Sequence, residues 1–205
     1  MMQSQAAASA KKAVRQRMIA LRDTLSLDDR NQKSAAITSK LVALPDFGRA
    51  RTIAAFASFG TEFDTDAFLS AALSQGKRLV LPRIEPGRRE LCFHFVVNLA
   101  ESLVAGQWGI REPDPSLCAE ADPGEIDFML VPGVAFTPAC ERLGYGGGFY
   151  DVAMGNTRED TRKVAAVFDL QIVDAIPLEP HDKRVDQVVT ERASYVANAR
   201  KFSTS

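Results

Sequence analysis

Cysteine is scarce in this 205-residue chain, and its three copies, Cys92, Cys118 and Cys140, are far apart with no Cys-x-x-Cys pair. That argues against a disulfide framework or a cysteine zinc site and suits a reducing cytoplasm. An excess of one charge is absent too. Lys+Arg 25 against Asp+Glu 26 leaves a net charge of -1, so no global field gathers nucleic acid or anionic lipid, although a local basic pocket stays open. No apolar run approaches the roughly 18 residues needed to span a bilayer. The opening "MMQSQAAASAKKAVRQR" has small residues ahead of basic ones and no apolar core, which reverses the order of a signal peptide. A soluble cytoplasmic monomer without nucleic-acid or membrane partners is the expectation.

What remains is ordinary globular material, 46% hydrophobic and 25% charged, long enough for one well-buried core. Helical spacing from about Ser9 runs through Val14, Met18, Leu21 and Leu25, and "SLDD" (Ser26 to Asp29) forms an N-cap signal for a second helix reaching Leu44, before Pro45. Apolar runs Thr52 to Phe59, Arg78 to Pro82, Glu90 to Val96, Ile126 to Pro132, Lys163 to Phe168 and Asp186 to Glu191 suit short buried strands, with a helix over Asp64 to Gln75 closed by Gly76. Apolar strands alternating with helices predict an α/β fold of three layers, α/β/α and Rossmann-like. Its sheet is largely parallel, admits antiparallel members, and carries helices on both faces. No repeat or linker divides the chain, so one domain over 1–205 is expected, with a flexible start over 1–10.

The densest signal is "RLGYGGGFYD", Arg142 to Asp151, with four glycines in five positions. It follows a buried strand and precedes a short helix from about Phe149, where open α/β sheets bind ligands. Glycine backbone there turns N–H groups towards an anion, or simply makes a tight turn. The spacing matches neither standard phosphate fingerprint: Phe149 stands where Gly-x-Gly-x-x-Gly needs glycine, and no Gly-Lys-Ser/Thr follows. From the residues alone both readings stay open.

"KKAVR" (Lys11 to Arg15), "FASFGTEFDT" (Phe56 to Thr65), "VLPRI" (Val80 to Ile84), "WGIREP" (Trp108 to Pro113), "LVPGVAFTPACERLGYGGGFYD" (Leu130 to Asp151) and "IPLEPHDKRVDQVVTE" (Ile176 to Glu191) occur in that order. Together they resemble the 5-formyltetrahydrofolate cyclo-ligase family, also called 5,10-methenyltetrahydrofolate synthetases. The resemblance implies an ATP-dependent ring closure in which the formyl oxygen of 5-formyltetrahydrofolate is phosphorylated, N10 attacks the activated carbon, and phosphate leaves.

It also implies roles. Lys11, Lys12 and Arg15 would meet ATP phosphates, with Arg15 also near the substrate; the plain alternative is a solvated basic helix face. Arg142, Leu143, Gly144, Tyr145, Gly146, Gly147, Gly148, Phe149 and Tyr150 would form the other wall of the ATP site. Asp151 and Asp182 would hold Mg²⁺, although Asp151 could instead favour a helix N-terminus, and Asp186 is close enough to replace Asp182. Glu62 would recognise the pterin, a place Asp64 could take, and either could cap the next helix. Trp108, Tyr145 and Phe149 would line the substrate side, Trp108 and Phe149 being equally suited to packing. The resemblance admits a folate with or without a polyglutamate tail. His94 and His181 are not candidates, nor are the cysteines. Thr137, Cys140, Tyr145 and Val152 depart from residues common in the family. Those departures keep a weakly active nucleotide- or folate-binding paralogue in view. A sugar-phosphate isomerase or coenzyme A transferase on a related sheet is the other rival.

Overall fold

The computed structural model describes residues 2–85, 87–88, 90–106, 109–180 and 182–197. Trp108 and His181 lie outside the described residues. Helix α1 (Met2–Asp23) starts ahead of the point suggested by its apolar spacing, and α2 (Leu27–Val42) follows. Ser26 caps α2 as its sequence indicates, its hydroxyl accepting from the Asp29 N–H at 3.1 Å. Pro45 then opens a short helix, α3 (Pro45–Arg49), rather than only ending α2; proline suits a first helical turn because its missing N–H would be unpaired there anyway.

Strands follow as β1 (Thr52–Ala54), then helix α4 (Asp66–Ser74), then β2 (Arg78–Ile84), β3 (Leu91–Val96), β4 (Leu103–Ala105), β5 (Arg111–Pro113) and β6 (Glu120–Ala121). After them come β7 (Phe128–Val131), β8 (Ala135–Phe136), β9 (Arg142–Leu143), helix α5 (Phe149–Asn156), β10 (Arg162–Ala166), β11 (Gln187–Val189) and β12 (Ser194–Val196). The main sheet has the order β12-β11-β10-β7-β1-β2-β3-β6. Its centre, β11 to β2, is parallel, while β12, β3 and β6 join antiparallel at the edges. The sheet is therefore mixed, with a Rossmann-like parallel centre. Two hairpins, β4–β5 and β8–β9, stand apart from it.

Alternate residues of each central strand enter opposite layers, which is why these strands lack a polar face. Phe128 and Leu130 pack with Ile37, Leu41, Phe47, Phe68 and Leu69 from α2, α3 and α4. Met129 and Val131 pack with Ala153 and Met154 of α5. Burying one large apolar side chain contributes about 1.5–3 kcal/mol, so both helical layers are held by the same strands. Met18 fastens α1 to Val134, Ala135 and Leu143 of the β8–β9 hairpin. That contact places α1 across the loops rather than along a sheet face.

The strand order reverses at β1. From there the chain steps outward to β2 on one side and to β7, β10 and β11 on the other. A crevice forms at such a reversal, beyond the carboxyl ends of the two central strands. The chain leaving β1 carries Glu62, and the chain leaving β7 carries the glycine stretch.

Candidate active site

A cavity of about 710 Å³ occupies this crevice, within the range of about 300–1,000 Å³ usual for small-molecule sites. Lys11, Arg15, Glu62, the stretch 142–151 and Asp182 all line it. Lys12 does not. It points to the exposed side of α1, away from the cavity. Asp186 does not line it either, and its carboxylate accepts from the Lys163 N–H at 2.8 Å. Between the two acids weighed, only Asp182 faces the site.

The glycine loop is exposed from Tyr145 to Gly148. Gly146 and Gly148 have φ of 106° and 72°, a left-handed region that side chains disfavour. Among the described residues, no hydrogen bond takes up the main-chain N–H groups of Gly146–Gly148. Arg15 steadies the loop, its Nε donating to the Gly144 carbonyl at 2.8 Å. Buried Arg142 spans it, with Nη2 2.8 Å from Asp151 Oδ1 and Nη1 donating to the Pro132 carbonyl at 3.2 Å. The base and the acid that bracket the glycines thus pair and close the loop. The Arg142 Nε and the Tyr150 hydroxyl are buried without hydrogen-bond partners among the described residues, polar atoms that a bound ligand could satisfy.

Lys11 is 5% exposed and donates to Glu179 Oε2 at 2.7 Å and Asp182 Oδ2 at 2.6 Å. Burial works against its charge, but those two carboxylates prevail and hold its pKa above the usual lysine value. At the other end, Glu62 is 8% exposed. A turn with Gly60 at φ 61° folds its carboxylate back to accept from the Phe59 N–H at 3.1 Å. Tyr145 Oη donates to its other oxygen at 2.5 Å. Burial pushes the Glu62 pKa up, opposed by Tyr145, Phe59 and the charge of Arg22. Asp64 faces elsewhere and receives the Asp66 N–H at 3.0 Å, so it shapes the start of α4. Burial also raises the Tyr145 and Tyr150 hydroxyls, which stay protonated at neutral pH.

Residues 7–191 match the sequence profile of the 5-formyltetrahydrofolate cyclo-ligase family. The chain belongs to that family. Among its relatives, the 5-formyltetrahydrofolate cyclo-ligase of Mycolicibacterium smegmatis is 34% identical over 72% of this chain and 77% of that protein. The Escherichia coli enzyme of the same description is 29% identical over 82% and 93%. The Aquifex aeolicus 5,10-methenyltetrahydrofolate synthetase superposes with a TM-score of 0.80 at 29% identity, covering 91% of this chain and 92% of that one. These matches favour a cyclo-ligase over a sugar-phosphate isomerase or coenzyme A transferase.

Several contributors escaped the sequence reading. Pro82, Ile84, Leu91 and Glu112 form part of the facing wall, and Glu179 shares Lys11 with Asp182. Arg22 is 4% exposed and reaches Tyr145. A signal for it did exist. Lys11, Arg15, Met18 and Arg22 follow at steps of four, three and four, one helix face, and three cations on the face that also carries buried Met18 are not a solvated surface. His94 is a packed histidine, its Nδ1 3.0 Å from the Cys118 carbonyl. Cys140 has φ 62°, a left-handed conformation that side chains disfavour.

Proposed function

We propose that the protein closes 5-formyltetrahydrofolate to 5,10-methenyltetrahydrofolate with ATP, releasing ADP and phosphate. The observation that carries this is one cavity with two unlike ends. One end is a buried carboxylate held to the wall by a single donor on each oxygen. The other is an exposed glycine loop with open N–H groups beside Lys11, Arg15 and Arg142.

The reading assigns the pterin to the first end, where Glu62 accepts two adjacent N–H donors. ATP takes the second. Loop N–H groups and Arg15 orient the phosphates, and Arg142 keeps the loop in shape. Phe149 and Tyr145 divide the two compartments, and the cytoplasm is the expected setting. Chemistry then needs little covalent help from the protein. The formyl oxygen attacks the γ-phosphoryl group and displaces ADP; N10 adds to the activated carbon and gives up its hydrogen as a proton to solvent; that carbon expels phosphate, which takes the former formyl oxygen with it and leaves the methenyl bridge. Excluding water from the crevice protects the activated carbon until N10 arrives. Lys12 has no place in this scheme.

Mg²⁺ fits the donors present. Lys11, Arg15 and Arg142 are matched by Asp151, Glu179 and Asp182 around the phosphate end, so the side chains supply no surplus positive charge for a triphosphate. Among the described residues no cluster of three or more candidate ligands could hold a metal by itself, but Mg²⁺ typically needs only one or two carboxylates plus phosphate oxygens and water. Asp151 and Asp182 are those carboxylates in this reading, and the ion would neutralise phosphate charge.

Incubation of the protein with folinate, ATP and Mg²⁺, followed by methenyl absorbance, is the test. Product formation that requires all three is expected, with Asp151→Asn raising the Mg²⁺ requirement. ATP binding without product would leave a nucleotide-binding paralogue instead.

A further inference from the structure

Arg22 has no part in the reaction scheme above, yet its guanidinium is buried against the folate end. Its Nη1 donates to the Tyr145 hydroxyl oxygen at 2.9 Å and its Nε to Thr61 Oγ1 at 3.0 Å. Thr61 in turn donates to Asp23 Oδ1 at 2.5 Å. A phenol has one hydrogen to give. With Arg22 donating to the oxygen, that hydrogen goes to Glu62 Oε1. The Phe59 N–H meets Oε2. An ionised carboxylate offers about four lone-pair sites over two oxygens, so each Glu62 oxygen keeps one site for a ligand. That is the pattern two adjacent N–H donors require.

We propose that Arg22 and Tyr145 are positioning residues that aim a hydroxyl proton at Glu62, holding the carboxylate ionised and turned to receive the pterin N–H pair. The proposal rests on the reading that Glu62 recognises the pterin. The groups facing Glu62 are Arg22 from α1, Tyr145 from the glycine loop and Tyr150 from α5, with Asp23 one step removed through Thr61. Arg22 is the only cation among them. Burial favours the protonated acid, a form that gives up one acceptor and repels an incoming N–H. Tyr145 and Arg22 act against that outcome. Because Tyr145 belongs to the glycine loop, the same hydroxyl also ties the phosphate cradle to the folate end.

Folinate affinity of Tyr145→Phe against pH tests the pair, since phenylalanine keeps the ring packed on Phe59, whose centroid is 5.4 Å away. A hydrogen bond to a charged group corresponds to roughly a 10- to 100-fold change in affinity. Folinate binding should weaken by at least about tenfold at mildly acidic pH, and the deficit should shrink as pH rises and the bulk solution ionises Glu62 without help. Arg22→Lys, which keeps the cation but not the forked geometry, should show the same trend in smaller measure, with the thermal midpoint reporting that it folds. A deficit equal at every pH, or none, would overturn the positioning role. Glu62→Gln separates the two ideas. If it leaves folinate affinity intact, the pterin assignment fails and the pair with it. If it weakens folinate while Tyr145→Phe shows no pH-dependent loss, only the positioning pair fails.

Discussion

Replacing Lys11 by methionine removes a charge that two carboxylates share across the fold. Exposed ion pairs contribute about 0–1 kcal/mol, whereas breaking a buried pair costs about 3–5 kcal/mol. Lys11 keeps 6% of its side chain exposed, Glu179 27% and Asp182 15%. Placed between those limits, Lys11→Met should cost about 2 kcal/mol, or a thermal midpoint lower by roughly 4–8 °C for a chain of this length. Thermal and urea unfolding at neutral pH measure it directly. Combining it with Asp182→Asn in a double-mutant cycle isolates the pair, because the two deletions should fall short of additivity. The pH dependence has a definite sign. With the folded pKa above the ordinary 10.5, the contribution is complete below that value and disappears as pH rises through the folded one. Additivity within about 0.5 kcal/mol would show that Lys11 is not coupled to Asp182 and would refute the reasoning.

Two further outcomes are expected. Gly148→Ala forces a side chain into φ 72° with open space around it, and Gly146→Ala into φ 106° with the new Cβ 3.3 Å from Arg15 Cζ. Both should weaken ATP, Gly146→Ala more, in a nucleotide titration; equal affinities with the parent would mean the loop conformation is not used for binding. Asp127 accepts from the Arg51 and Thr52 N–H groups at 2.8 and 3.0 Å and from Arg158. Burial opposes its charge, but those bonds prevail and lower its pKa, so its stabilisation is complete above the ordinary aspartate value and is lost as pH falls through the folded one. Asp127→Asn should therefore flatten the acid limb of the stability curve, and an unchanged limb in urea titrations would contradict this.

The strands were legible because a parallel sheet buried on both faces needs apolar residues without alternation, and Phe128–Val131 is such a run. Boundaries were less so. The apolar stretch from Thr52 to Phe59 forms a strand only as far as Ala54, because Phe56 and Ala57 leave the sheet to line the cavity. The β4–β5 and β8–β9 hairpins carry no comparable pattern, since strands of two or three residues are too short for periodicity to emerge. The glycine loop stood out in the sequence and Glu62 only through the resemblance to the cyclo-ligase family, whereas the Arg22 contact did not, because it depends on three distant segments meeting.

Local chemistry in the sequence was enough to determine the kind of fold, the conformational freedom of Gly146 and Gly148, and the capped start of α2, each a matter of nearest neighbours along the chain. Only tertiary structure decided that Lys11 faces Asp182 while Lys12 faces solvent, that Arg142 and Asp151 close the loop they flank, and that Tyr145 lies between Arg22 and Glu62. Those pairings join residues as many as 171 positions apart. Their geometry follows from how α1 lies over the reversal in strand order, an arrangement set by packing rather than by any local motif.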